Sequence, residues 1–326
     1  MTVRTGVIGA GVMGSDHART LARRIGGAEL AVVADIDLAR AEALADATGA
    51  RATDDPHALI ADPGVDAILV ASHDSTHAEL VLAAIGAGKP VLCEKPLTPD
   101  VDEARRIVEA EGAVGRRLVS VGFSRRFDPA LVELRDALAS GAIGRPLVAH
   151  AIHRNVDAVG GDSATTIFSS AIHELDQTPW LLGSPLAEVT WVAPAATSLL
   201  PERQDPQLLL LRTADGVLTT VEVFVKAVYG YDVRLEVVGE TGTLALSPAP
   251  LVVRDGDLGR STAYPEDWRP RYAAAYRGEV QAWVDAIAGD GYPADLATAS
   301  DGLRATLAAH AVVASMNGGG TVPVPG

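Results

Sequence analysis

Gly9-Ala10-Gly11-Val12-Met13-Gly14 follows the apolar run Val3–Ile8 and opens an Ala/Leu/Arg-rich stretch of helical composition. The next apolar run, Leu30–Ala34, closes on an acidic residue, Asp35. A strand, a glycine-rich turn, a helix and an acid ending a second strand form the dinucleotide-binding pattern. Gly9 suits a tight turn, Gly11 lets the backbone approach a pyrophosphate, and Gly14 lets helix and strand pack closely. Val12 and Met13 open the helix, whose free N–H groups and partial positive charge attract phosphate. Asp35 can accept hydrogen bonds from ribose hydroxyls and would repel a 2′-phosphate. No Arg follows it before Arg40, so NAD is favoured over NADP. A cap for the next helix is the competing reading of Asp35.

Composition narrows the field. The chain has 326 residues, more than one ordinary domain needs. Its 27 basic and 42 acidic residues give a net charge of −15, which argues against nucleic acid or an anionic membrane as partner. The N-terminus runs straight into the first apolar run, with no signal-peptide pattern and no membrane-length apolar stretch, so a cytoplasmic protein is expected. The single cysteine, Cys93, excludes an internal disulfide and a cysteine-based zinc site.

Outward from the glycine turn, strands are expected near Val3–Ile8, Leu30–Ala34, Ala67–Val70, Pro90–Cys93 and Leu118–Gly122, with helices between them. That alternation predicts a parallel sheet covered on both faces. After Gly122 the rhythm changes to strand-like runs at 146–153, 189–193, 207–213, 217–225, 233–239 and 243–246. Ala214-Asp215-Gly216 and Glu240-Thr241-Gly242 read as hairpin turns. Helical stretches near 271–288 and 297–316 follow, and Gly318-Gly319-Gly320 ends the ordered pattern. The expected class is α/β: a Rossmann domain (1–122) with a doubly wound parallel sheet, then an α+β domain (123–326) with a mostly antiparallel open sheet.

Several polar groups could carry chemistry. Glu94-Lys95-Pro96 lies at the carboxyl edge of the parallel sheet, where open α/β sheets bind ligands. A lysine there can hold a substrate hydroxyl and stabilise a developing oxyanion; a surface lysine in a turn fits the residues equally well. His173 and Asp176 are one helical turn apart, and an imidazole suits removal of a hydroxyl proton near neutral pH. A buried or capping histidine is the competing reading. His153-Arg154-Asn155, Arg125 and Arg126, and Tyr229-Gly230-Tyr231-Asp232 offer donors at strand ends, where a polyhydroxylated substrate or an ordinary turn would use them. His73 and His77 have i, i+4 spacing but lack an evident third ligand, so no metal is expected.

Taken together, these motifs resemble the glucose–fructose oxidoreductase/inositol dehydrogenase (Gfo/Idh/MocA) family over essentially the whole chain. The ordered set is the glycine turn, Ser72 with His77, Glu94-Lys95-Pro96, and His173 with Asp176. Four stretches look similar to NAD-dependent inositol 2-dehydrogenases in particular: residues 122–128, 153–155, 170–176 and 229–232. The resemblance implies catalytic roles for Lys95 and His173. It implies substrate contacts for Arg126, His153, Asn155, Ser169, Asp176 and Tyr231. Ser72, His73, His77, Glu94 and Lys95 then join Gly9, Gly11, Val12, Met13, Gly14 and Asp35 at the NAD site. A polyol substrate and a dimer or tetramer formed through the C-terminal sheet are also implied. One departure stands out: inositol dehydrogenases usually carry Asp four residues before the catalytic His, and this chain has Ser169. The expected activity is hydride transfer between a cyclitol or sugar alcohol and NAD. Reduction of a keto-sugar in reverse, or a catalytically weak NAD-binding sensor, are the alternatives.

Overall fold

A computed structural model describes residues 2–158, 160–246 and 252–326. The chain divides into two compact units, Met1–Phe127 with Ala274–Thr306, and Asp128–Ala273 with Leu307–Gly326.

The first unit is built on six parallel strands: β1 (Val3–Ile8), β2 (Ala28–Ala34), β3 (Arg51–Thr53), β4 (Ala67–Val70), β5 (Val91–Glu94) and β6 (Val119–Gly122). Their order, 3-2-1-4-5-6, is that of the Rossmann fold. Every residue of β4, β5 and β6 is buried, as expected of strands covered on both faces. The crossovers are α1 (Val12–Arg24), α2 (Leu38–Thr48), α3 (Pro56–Ala61), α4 (His77–Gly86) and α5 (Val101–Val114).

β3 and α3 have no counterpart among the expected elements. β3 is a three-residue edge strand, too short to show a period, and α3 is six residues held by its Asp55 cap. The Asp55 carboxylate accepts from the N–H groups of His57 and Ala58.

The units do not divide at residue 122. The first extends to Phe127 and takes back residues 274–306. Val280, Trp283, Val284 and Leu296 of that returning segment share one core with Val3, Val7, Leu21, Leu30 and Val33. Helical periodicity marks a face to be covered but not which sheet covers it.

The second unit holds α6 (Pro129–Ala139), β7 (Pro146–Arg154), α7 (Ser163–Thr166), a π-helical segment Ile167–Ala171 and α8 (Ile172–Leu182). Then come β8 (Leu186–Val192), β9 (Gln207–Thr213), β10 (Leu218–Phe224), β11 (Asp232–Gly239) and β12 (Thr243–Ala245). An exposed hairpin, β13 (Val253–Gly256) with β14 (Gly259–Thr262), precedes the long helix α9 (Trp268–Asp285). The C-terminal helix α10 (Ala299–Gly318) leads to β15 (Thr321–Pro323). The sheet runs β12-β11-β7-β10-β9-β8-β15, antiparallel at every pairing but β7 with β10. Thr219, Val221 and Val223 of β10 are buried, while the residues between them are partly exposed, the period-2 signature of a sheet with one covered face. The ordered pattern does not end at the glycine tail. Thr321–Pro323 pairs with β8, a partner invisible in three residues of local sequence.

Trp283 is the largest fully buried side chain and comes from the returning helix. Trp283→Ala should cost about 3–5 kcal/mol in chemical denaturation, the range for truncating a buried Trp. A loss of about 1 kcal/mol or less would contradict its place in the Rossmann core.

Candidate active site

The glycine turn fits a dinucleotide. Gly9 adopts φ +103°, and a Cβ there would stand 2.5 Å from the Ala71 carbonyl oxygen. A Cβ on Gly14 would stand 1.8 Å from the Gly9 oxygen, so only glycine lets α1 lie this close to β1. Beside Gly11 nothing lies within 4 Å, which leaves the backbone open to a ligand. α1 has no side-chain cap, whereas α3 and α5 are each capped by an aspartate. Its first N–H groups are thus directed at an open position that suits a pyrophosphate. Val12 is exposed and Met13 half-buried at this opening.

Asp35 has a local duty as well. Its Oδ2 accepts from the Ala10 N–H at 2.7 Å and its Oδ1 from the Asp37 N–H at 2.9 Å. A carboxylate has about four acceptor sites, so capacity for ribose hydroxyls remains.

At the neighbouring strand ends, Ser72 Oγ bonds Thr76 Oγ1, and the exposed His73 ring accepts from the Ser75 N–H. His77 is turned inward. Its Nδ1 lies 2.8 Å from the Pro96 carbonyl and its Nε2 3.2 Å from that of Ser72. Burial, partly offset by these two carbonyls, holds its pKa below the usual histidine value. A neutral imidazole carries one N–H and donates to one of these carbonyls, that of Pro96 being the nearer, a structural use that motif spacing does not reveal.

Glu94 is buried beside Lys95. Oε1 accepts from His17 Nε2 at 2.7 Å and Oε2 from the Lys95 N–H at 3.1 Å. Burial alone would raise the Glu94 pKa, but His17 and Lys95 outweigh it and the net shift is downward. The Lys95–Pro96 peptide is cis. His17 has no place among the sequence-level candidates, because its only signal is a partner 77 residues away.

Arg126 is buried in the first unit and pairs with Asp301 at 3.4 Å. Asp301 also accepts from the N–H and hydroxyl of Thr298, closing a capping box at the start of α10. Burial pushes its carboxyl up, but Arg126, Thr298 and Arg304 outweigh that and hold its pKa down at about 2.

In the second unit, β7 alternation puts His153 on the buried face with Ala149 and Ala151. His153 Nδ1 lies 3.1 Å from Glu174 Oε2, both groups buried. The His153 ring is 6.2 Å from that of His173 and 6.1 Å from that of Tyr231, so these three candidates share one cluster. Asn155 Nδ2 donates to Ser170 Oγ at 3.3 Å, which brings the strand end to the π-helical segment. Such segments recur at functional sites. Ser169 lies within it and donates to the Thr165 carbonyl at 2.7 Å. Asp176 is buried one turn after His173 on α8. Glu174, the carboxylate partner of His153, is absent from the sequence-level candidates. Among the described residues no three or more His, Cys, Asp or Glu side chains converge as a metal site, and no helix is long and apolar enough to cross a membrane.

Residues 3–123 match the model of the oxidoreductase family with an NAD-binding Rossmann fold, and residues 131–245 match the GFO/IDH/MocA C-terminal domain. The chain belongs to the GFO/IDH/MocA family. It is similar to inositol 2-dehydrogenase 2 of Paenarthrobacter aurescens, at 51% identity over 98% of each chain. Inositol 2-dehydrogenase/D-chiro-inositol 3-dehydrogenase of Shouchella clausii is 43% identical, over 98% of this chain and 93% of that one. Among solved structures, myo-inositol dehydrogenase from Lactobacillus casei in complex with NAD(H) and myo-inositol matches with a TM-score of 0.96. Its identity is 35%, over 100% of this chain and 98% of that one. This GFO/IDH/MocA member is an enzyme, an NAD-dependent oxidoreductase.

Asp301 supplies a pH test of the Arg126 environment. Its folded pKa is depressed from 3.8, so its contribution is present above the unfolded value and lost as pH falls through about 2. Asp301→Asn should therefore lower stability at neutral pH by about 2 kcal/mol, with the gap to wild type closing between about pH 4 and pH 2. Urea titrations across that range check it, and a pH-independent gap would count against the assignment.

Proposed function

We propose that this GFO/IDH/MocA enzyme oxidises a secondary alcohol of an inositol-like cyclitol, in the manner of an inositol 2-dehydrogenase. The full-length likeness to an enzyme crystallised with NAD(H) and myo-inositol carries this reading. The Lys95 ammonium holds the reacting hydroxyl and stabilises the oxyanion that develops on it. His173 accepts the hydroxyl proton. His153, Asn155, Asp176, Tyr231 and Arg126 orient the remaining hydroxyls, and Glu174 holds the His153 ring in place through Nδ1. The glycine turn and Asp35 would hold NAD, whose nicotinamide would supply the hydride acceptor. Oxidation and its reverse, reduction of a keto-cyclitol, use the same groups.

Lys95→Ala should lower kcat by about 10²–10³-fold, the size of effect seen when an oxyanion donor is removed. NAD affinity should stay within a few-fold of wild type. Inositol-dependent NADH formation and NAD titration check both, and unchanged turnover would sink the role given to Lys95.

A second reading, a catalytically weak NAD-binding sensor, draws on Ser169. A hydroxyl that donates to its own helix brings no charge to His173. Ser169→Asp separates the two readings. A gain of about tenfold or more in inositol oxidation marks a retuned dehydrogenase, because an oriented imidazole that forms a cation gains from a nearby carboxylate. No gain, together with a silent wild type, favours the sensor.

A further inference from the structure

His17 stands in the second turn of α1, the helix that opens on the glycine turn. It is 1% exposed and Glu94 is 8% exposed. An ionised carboxylate only accepts, so the proton in the 2.7 Å contact belongs to His17 Nε2. The other Glu94 oxygen receives the Lys95 N–H. Two more contacts confine the pair. Tyr276 packs edge-on to the His17 ring at 5.8 Å, with its own hydroxyl bonded to Ser124. A Cβ on Gly122 would stand 3.1 Å from the Glu94 Cα and 3.2 Å from Oε2, so a side chain there would crowd the carboxylate. A hydrocarbon side chain would fill the space His17 occupies but would not aim the carboxylate.

We infer that His17 is a positioning residue for hydride transfer: through Glu94 it fixes the backbone of Lys95, and with it the origin from which the Lys95 ammonium meets the substrate hydroxyl. The inference rests on the role given to Lys95 above. It also makes α1 serve twice, with its first turn offered to the pyrophosphate and its second turn holding the catalytic lysine through one buried carboxylate. A small displacement of a reacting group costs up to about a hundredfold in rate, whereas binding of a cofactor held by backbone N–H groups barely responds.

The test compares wild type, His17→Leu, which has no donor, and His17→Gln, whose amide N–H can still reach Glu94. Lys95→Ala is assayed in parallel. Three quantities are read: kcat for myo-inositol oxidation, NAD affinity, and the isotope effect on kcat with carbon-deuterated myo-inositol. His17→Leu should lose about 10- to 100-fold in kcat and keep NAD affinity within about threefold. Its isotope effect should rise as the chemical step becomes limiting, and His17→Gln should recover kcat to within about threefold of wild type. Should His17→Leu fail to fold, His17→Asn, whose amide is too short to reach, takes its place. Wild-type kcat in the variant without a donor overturns the inference. So does an equal loss in His17→Gln with an unchanged isotope effect, because the ring would then only fill space. A fully active Lys95→Ala overturns the reading of Lys95 itself, and a wild type silent on inositol overturns the proposed function on which the inference rests; neither outcome depends on His17.

Discussion

Helix α1 lies against β1 with Gly14 seated on the carbonyl of Gly9, where a Cβ would stand 1.8 Å from the oxygen. Much of the first unit follows from that approach. It directs the uncapped start of α1 at the open space beside Gly11. One turn further on it delivers His17 to Glu94, and Glu94 holds the Lys95 N–H. A single contact between two glycines thus sets both the open glycine turn and the footing of the lysine.

The Glu94 carboxylate beneath Lys95 is costly to bury and persists because both of its oxygens are answered. An ionised carboxylate in the interior carries a desolvation penalty of several kcal/mol unless it is paired and hydrogen-bonded. Glu94 meets that condition with one donor from α1 and one from its own turn. His77 holds the far side of the same turn through the Pro96 carbonyl. Removing one partner of such a set leaves the other buried and unanswered, which makes the arrangement specific as well as rigid.

The second unit solves a different problem with the same economy of parts. A strand that alternates inward and outward places His153 on the buried face, and the first turn of α8 supplies Glu174 to its Nδ1. The π-helical segment before α8 carries Ser169 and Ser170, and the latter receives the Asn155 amide. Near His173 in the chain, Glu174 and Asp176 are buried carboxylates.

Features written in contiguous residues were legible from the chain alone. They include the glycine turn with its following acid, the strand–helix alternation as far as residue 122, and the hairpin turns at 214–216 and 240–242. Each is a local pattern of period, turn chemistry or spacing, which is what a linear sequence records. The tertiary structure alone decided the rest. It brought the helix carrying Trp283 back to the first core, paired β15 with β8, and turned His77 inward beside two carbonyls. It also joined His17 to Glu94, Arg126 to Asp301 and His153 to Glu174. Those partners lie far apart in the chain, and a buried charge selects its counterpart by distance and desolvation in the folded core, quantities that have no value until the chain has folded.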